Sequence, residues 1–344
     1  MRICKALLAL ALCCGCLPAE SQQQAATCAS CHAPQALSQP GTDMGRAMQL
    51  TVANPALRAH PKMAFQRGKY SYLVETQNGQ SRYIVSDGTR TISLPILWSM
   101  GAQAQTWVLE HGGQMYESLV SYYPSIHGLD VTVGDDRLQP KNLEEAIGRP
   151  LDDEGVKTCF GCHASNAVID HKLNLAAFKP GVDCEHCHEG ADAHMSAMLQ
   201  GDMSVVPPDL KSLSTEDISS FCGQCHRTFG LVARAGWRGV SDVRFQPYRL
   251  ELSQCYDGTD PRISCIACHD PHHEVVRNAA FYDSKCLACH SPLAAKAPPH
   301  AKVCPVAKSN CTSCHMPKVT YPGGNFVFTD HYIRIVKKNE PYPY

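Results

Sequence analysis

The sequence predicts a fold of mostly short helices and loops, into which one small antiparallel β domain is inserted. Aromatic residues make up only 7% of the 344 residues, and a short cysteine motif recurs through the second half of the chain. That half is therefore not expected to form a layered domain around its own side-chain core. Between residues 65 and 133, in contrast, apolar and polar residues alternate with the period of a β-strand.

The recurring motif is Cys-x-x-Cys-His, and it occurs seven times, once near the start and six times between residues 159 and 315. Its cysteines are Cys28, Cys31, Cys159, Cys162, Cys184, Cys187, Cys222, Cys225, Cys265, Cys268, Cys286, Cys289, Cys311 and Cys314, and its histidines are His32, His163, His188, His226, His269, His290 and His315.

The spacing of this motif is typical of c-type haem attachment. Two thiols three residues apart can form thioether bonds to the two vinyl groups of one porphyrin, and the histidine on the same face can ligate its iron. Zinc sites and redox dithiols also use Cys-x-x-Cys, but neither explains why histidine follows every copy. The sequence thus predicts seven haem c groups and a multihaem cytochrome c fold, with the helices and loops wrapped around the haems.

The order of these features predicts five segments. Residues 1–20 form a signal peptide, and residues 21–64 form an N-terminal segment with the first haem. Residues 65–133 form the β-rich domain, with strands at 70–75, 81–85, 105–110 and 114–120; Asn78 and Gly79 indicate a hairpin turn between the first two. Residues 134–158 read as a linker. Residues 159–344 form a hexahaem domain.

The first 20 residues predict export. Arg2 and Lys5 precede an apolar run that is too short to span a membrane. Cleavage after Ala19 would release a soluble protein, whereas lipidation at Cys16 would attach it to a membrane. We therefore expect a periplasmic location, with outer-membrane or cell-surface association as the alternative.

Charge and the remaining cysteines add two expectations. The formal net charge of −1 offers no basic footprint, so we expect no nucleic-acid partner. Of the 20 cysteines, only Cys255 and Cys304 lie outside both the haem motifs and the leader. In an oxidising compartment these two predict a disulfide, with two buried free thiols as the alternative.

Residues 155–335 resemble the multihaem cytochrome c-552/c-554 family. The resemblance lies in the motif at 159–163, the stretch Gly-Val-Asp-Cys-Glu-His-Cys-His at 181–188 followed by His194, the motif at 265–269 followed by His272, and the motif ending at His315 followed by His331. In that family the comparable trailing histidine ligates another haem, so the resemblance implies an axial role for His194.

Ten histidines are not the last residue of a motif, which is enough to give each of seven irons a second protein ligand. The predicted second ligands, each with an ordinary structural or surface histidine as the alternative, are His194, His272, His331, His60, His171, His127 and His300. His111, in a predicted turn, His186, inside a motif, and His273, beside His272, are expected not to serve as ligands.

These observations predict a carrier that transfers electrons between redox partner proteins, either quinol-linked proteins or other cytochromes. Closely packed redox centres allow electrons to hop between neighbours. One alternative is an oxidoreductase of small nitrogen compounds, which would need one iron with an open coordination site. Another is a subunit of a conductive filament, which would require self-association. No catalytic residue is predicted.

Overall fold

The structure is a computed structural model that describes residues 27–170, 172–294, 301–336 and 342. The predicted signal peptide, Cys16, His171 and His300 lie outside the described residues. Within the described ranges, no helix is long and apolar enough to cross a lipid bilayer.

The predicted fold class is wrong, because the largest unit of the protein is a nine-stranded antiparallel sheet and not a small inserted β domain. Its strands are β1 Met48–Leu50, β2 Lys62–Arg67, β3 Tyr70–Gln77, β4 Gln80–Ser86, β5 Thr91–Met100, β6 Gln105–His111, β7 Gln114–Tyr123, β8 Gly128–Val131 and β9 Gly148–Pro150.

Strands β2 to β8 are hydrogen-bonded in sequence order, while β1 joins β5 and β9 joins β7. Strand β2 also packs close to β8, so the sheet curls until its first and last strands approach each other. The predicted hairpin is confirmed: Gln77 pairs with Gln80, and Asn78 and Gly79 both have positive φ, as a tight two-residue turn requires.

Alternation along the strands creates the main core. Tyr72 and Val74 of β3 and Tyr83 and Val85 of β4 are buried, while the residues between them are more exposed. The fully buried Trp107 of β6 lies in the same cluster. The sheet therefore carries a side-chain core that needs no cofactor to complete it.

Residues 134–158, which read as a linker, instead belong to the sheet and to the first helix after it. Leu143 and Ile147 are buried in the main core, Gly148 begins β9, and a helix starts at Asp153. Strand β9 is only three residues long, so it shows no alternation from which the sheet could be predicted.

Beyond the sheet the chain is built from short elements. Its helices are α1 Ala33–Ser38, α2 Pro55–Ala59, α3 Asp153–His163, α4 Cys184–Cys187, α5 Ala191–Leu199, α6 Thr215–His226, α7 Phe229–Ala235, α8 Gln246–Glu251, α9 Cys265–Cys268, α10 Ala279–His290 and α11 Cys311–His315. Its two-stranded ribbons pair β10 Ala164–Ser165 with β13 Lys179–Pro180, β11 Val168–Ile169 with β12 Lys172–Leu173, and β14 Lys318–Thr320 with β15 Val327–Thr329.

A second cluster joins these short elements to the sheet. The ring of Phe160 in α3 packs edge-on against Trp98 of β5 and also contacts Phe178. Val156 of α3 and Met48 of β1 are buried in the same cluster. Helix α3, which ends in the second Cys-x-x-Cys-His motif, is thus fixed to the sheet.

The segment after the first motif packs against the approach to the third. Gln39 donates a 2.6 Å hydrogen bond to the Val182 carbonyl, and the Val182 N–H donates to the Met44 carbonyl at 3.1 Å. Gly181, the residue before Val182, has a φ of +86° and lies directly against the Gly45 carbonyl, where a Cβ atom would collide. Only glycine fits this position without strain.

We therefore expect Gly181→Ala to lower the free energy of unfolding by about 2 kcal/mol or more, because it combines positive-φ strain with a backbone clash. The measurement is thermal unfolding followed by circular dichroism. Gly41→Ala is the matched control, since a Cβ at Gly41 meets no atom within 4 Å. An equal change in Tm for both variants would contradict the prediction.

Candidate haem-binding sites

Each Cys-x-x-Cys-His motif lies on one turn of helix. Three of them end the longer helices α3, α6 and α10, and the others form α4, α9, α11 and a 3₁₀ turn at Cys28–Ser30. In the first and third motifs the histidine N–H donates to the carbonyl of the first cysteine at 2.8 Å, for both His32 and His188. This closure brings the two thiols and the imidazole to one side of the turn.

Side-chain caps start several of these helices. Asp152 accepts a hydrogen bond from the Gly155 N–H at the start of α3, and Ser214 accepts one from the Asp217 N–H at the start of α6. Ser264 does the same one residue before Cys265. Such caps stabilise helices that are too short to persist alone, and they fix where each cysteine pair begins.

Three of the predicted second ligands each lie ring to ring with a motif histidine. The ring centroids of these pairs are separated by similar distances: 6.4 Å for His32 and His194, 6.1 Å for His188 and His272, and 6.2 Å for His269 and His331.

These separations fit two imidazoles on opposite sides of one metal atom. An imidazole nitrogen binds a metal at about 2 Å, and the ring centroid lies roughly 1 Å behind it, so centroids across a metal are about 6 Å apart. The three pairs thus have the spacing that an iron with two axial histidines requires, and their motif members sit beside cysteine pairs that could anchor the porphyrin. A c-type haem fits these side chains.

The hydrogen bonds of the imidazoles also suit metal binding. The Nδ1 atoms of several rings lie near backbone carbonyl oxygens: His163 and Ala47 at 2.9 Å, His194 and Val205 at 2.6 Å, His290 and Lys302 at 2.8 Å, His315 and Arg334 at 2.9 Å, and His331 and Thr329 at 3.0 Å. A carbonyl only accepts, so Nδ1 carries the proton and Nε2 keeps a free lone pair.

Burial favours the neutral form of two of these rings. It lowers the pKa of His163, and it lowers the pKa of His331 to about 4, with the neighbouring His269 adding to the effect. A neutral imidazole is the form that ligates iron. The sequence could not identify the carbonyl partners, because any residue can supply a backbone oxygen.

His272 has a different partner, the carboxylate of Asp270. The Asp270 Oδ1 lies 3.0 Å from the Nδ1 of His272, and its Oδ2 lies 3.0 Å from the Nδ1 of His273. A carboxylate behind a ligating imidazole raises its basicity and fixes its orientation. This partner was open to prediction, since Asp270 stands two residues before His272.

Of the other predicted ligands, the described residues include His60 and His127, and neither ring faces a motif histidine. His60 and His127 lie opposite each other, with centroids 6.1 Å apart. In the described ranges, the motif histidines His163, His226, His290 and His315 face no second histidine ring at this separation. The three histidines not expected to ligate are not part of these ring pairs. His111 ends β6, His186 lies in α4, and His273 binds Asp270.

The motifs themselves are packed against one another. Their cysteine side chains contact each other across motifs: Cys28 with Cys184, Cys162 with Cys225, Cys222 with Cys265 and Cys286 with Cys311. The hydrogen bond to Cys225 lowers the pKa of Cys162 to about 7, whereas burial raises that of Cys286 to about 12. Thioether formation would remove both protons.

Further contacts complete the series. Helix α9 packs against α10, which brings the fifth motif next to the sixth. His188 of the third motif faces His272, which lies just after the fifth motif. Asp283 of α10 accepts hydrogen bonds from the Asn310 and Cys311 N–H groups. The first motif is therefore joined to the third, and the second is joined to the fourth, fifth, sixth and seventh in turn. The pair of His188 and His272 links the two sets.

The two remaining cysteines, Cys255 and Cys304, are free thiols and not the predicted disulfide, but both are only partly buried, whereas the alternative was two buried thiols. Burial raises the pKa of Cys255, while backbone N–H groups of Ala307 and Val306 lower that of Cys304. Among the described residues, no three His, Cys, Asp or Glu side chains gather in the manner of a metal-ion site.

A buried ion pair holds His331 in position. Arg249 of α8 and Asp330 are both fully buried and share two hydrogen bonds of 2.9 Å. Arg334 adds a third at 2.6 Å. Burial alone would raise the pKa of Asp330, but Arg249 holds it below its usual value. The pair ties the chain around His331 to α8, and the sequence alone gave no indication of it.

Replacing Asp330 with asparagine should therefore destabilise the protein by about 3–5 kcal/mol, because the guanidinium of Arg249 would stay buried without its counter-charge. Differential scanning calorimetry measures the change. Asp136→Asn is the matched control, since its side chain is 55% exposed and surface substitutions change stability by about 0.5 kcal/mol or less. If the two variants unfolded at the same temperature, the ion pair would have no such role.

No protein-family model matches this chain, and neither does any curated protein or any solved structure.

Proposed function

We propose that this protein is a heptahaem c-type cytochrome that transfers electrons between redox partner proteins in the periplasm or at the cell surface. The observation that carries the proposal is the set of three histidine pairs. Each joins a Cys-x-x-Cys-His histidine to a distant histidine at the separation of two axial ligands, 6.1 to 6.4 Å.

The scarcity of buried side chains supports the same proposal. In the described part of residues 183–336 the buried apolar side chains are few, namely Ile218, Val232, Val243, Phe245, Tyr248, Leu250 and Tyr321. A stretch of this length needs far more buried apolar surface to offset its conformational entropy. Bound porphyrins would provide apolar surface of that kind.

The contacts between motifs support a relay. When bound, haem supplies iron that accepts and donates one electron at a time, and adjacent haems exchange electrons. The chain's own residues hold the motifs in one connected series and orient the imidazoles through the carbonyls and Asp270. The His331 ring, which is partly buried, has its Nδ1 atom 3.0 Å from the Thr329 carbonyl oxygen. Burial and ligand orientation tune the redox potentials.

The partners follow from the same chemistry. An electron carrier meets its donor and acceptor through small, transient contacts, and we propose other cytochromes or quinol-linked proteins in these roles. Residues 1–20 support export. Attachment to a membrane would follow from lipidation at Cys16.

The mass of the mature protein tests the proposal directly. We expect seven covalent haem additions, because each motif offers two thiols and one histidine. Intact-protein mass spectrometry of the exported full chain counts them, and a Cys311→Ser and Cys314→Ser double variant should carry six. A mature chain without covalent haem would refute the proposed function.

A second test examines the axial ligands. His272→Ala should convert one low-spin haem into a high-spin haem, because the iron ligated by His188 would lose its second imidazole. Electron paramagnetic resonance of the oxidised protein measures this. His273→Ala is the matched control, since His273 also binds Asp270 but faces no motif histidine in the described structure.

Identical spectra for the two variants would contradict the ligand assignment. The change is measured against the unmodified protein, in which any iron that lacks a second protein ligand would already be high-spin.

A further inference from the structure

The fourth histidine pair of the protein contains no motif histidine. His60 and His127 face each other with ring centroids 6.1 Å apart and ring planes inclined at 40°. The pair of His32 and His194 shows nearly the same inclination, 39°. Neither His60 nor His127 belongs to a Cys-x-x-Cys-His motif, so no thioether bond could hold a porphyrin between them.

We infer that His60 and His127 bind one further iron porphyrin without covalent attachment, each imidazole taking one axial position. The inference does not rest on the proposed function, because the pair contains none of the residues that would attach the seven covalent haems. The site would be an additional and exchangeable redox centre at the edge of the nine-stranded sheet.

The separation of the rings favours a porphyrin over a bare metal ion. Two imidazoles on a tetrahedral ion such as zinc would have centroids about 5 Å apart, because the ligands meet at an angle. Across a porphyrin the two axial ligands are opposite each other, and the expected separation is about 6 Å. The observed 6.1 Å matches the second arrangement.

The sheet holds both histidines in place. His60 follows α2, whose start is capped by the buried Asn54; its side chain binds the Ala56 and Leu57 N–H groups and donates to Ser99 in β5. The ring of Tyr122 in β7 lies 5.3 Å from that of His60. The hydrogen bond to Ser99 and the ring contact with Tyr122 hold the end of α2 against the sheet, so the position of His60 is fixed.

His127 lies in the turn between β7 and β8. Its φ of 47° is left-handed, and its N–H donates to the Pro124 carbonyl. A non-glycine residue rarely adopts this conformation without a compensating role. Here the turn directs an exposed imidazole toward His60, where an incoming ligand from solvent could reach it.

Residues close in sequence to the two histidines are of the types that an amphipathic ligand needs. Ile126, adjacent to His127, is 48% exposed, and Val52, shortly before α2, is 61% exposed. Arg58 and Lys62 flank His60 in the chain, and both are exposed. Apolar and cationic side chains are the types that meet the faces and the propionates of a porphyrin.

The test uses the mature full-length protein after incubation with excess haemin and removal of unbound haemin. Acid–acetone extraction removes only haem that is not covalently attached. We expect about one extractable haem per chain, in addition to the covalent haems counted by mass spectrometry, because one histidine pair lacks a motif.

His127→Asn should reduce haemin binding at least tenfold, because asparagine tolerates the left-handed turn but cannot ligate the iron. His111→Asn is the matched control, because His111 ends β6, away from the His60 and His127 pair, and its substitution should leave haemin binding unchanged. Unchanged Tm values would show that both variants fold.

Equal haemin binding by the wild type and His127→Asn would overturn the inference, as would an absence of extractable haem. If His127→Asn lost binding to Zn²⁺ but bound haemin as the wild type does, the pair would be a site for a bare metal ion, and the inference would be overturned as well. If the mature chain carried no covalent haem, the proposed function would fail, yet the haemin titration would still report on this pair.

Discussion

Three opposed pairs of imidazole rings lie between the short elements of this chain. Each pair brings together segments that are far apart in the sequence, as His32 and His194 do across the entire sheet region. A metal between such rings would act as a cross-link, and the stabilisation it gives would be largest where few side chains are buried. In the described residues after 183 few apolar side chains are buried, and this same part of the chain supplies at least one ring to each of the three pairs.

The sheet gives this loosely packed half a fixed base. Phe160 of α3 lies between Trp98 and Phe178, and the Ala47 carbonyl beside β1 binds the ring of His163 in the same helix. The second motif is thus positioned by the sheet, and the fourth motif contacts the second through Cys162 and Cys225. A rigid attachment at one point can order the remaining motifs because each of them contacts the next.

The sequence predicted those features that repeat or alternate. The seven motifs are visible because their spacing is constant, and strands β3, β4, β6 and β7 are visible because their residues alternate. The extent of the sheet was not predictable, since β1 and β9 are three-residue strands whose pairing is set by distant partners. The His60 and His127 pair was likewise hidden, because no sequence signal shows which two isolated histidines a fold will bring together.

The ion pair of Arg249 and Asp330 has a consequence for the order in which the protein is assembled. Synthesis proceeds from the N-terminus, so the fifth motif emerges well before Asp330 and His331 exist. The buried ion pair can therefore form only after residue 330 has been added, and a chain that ended before Asp330 would lose two hydrogen bonds to Arg249 and the ring that faces His269.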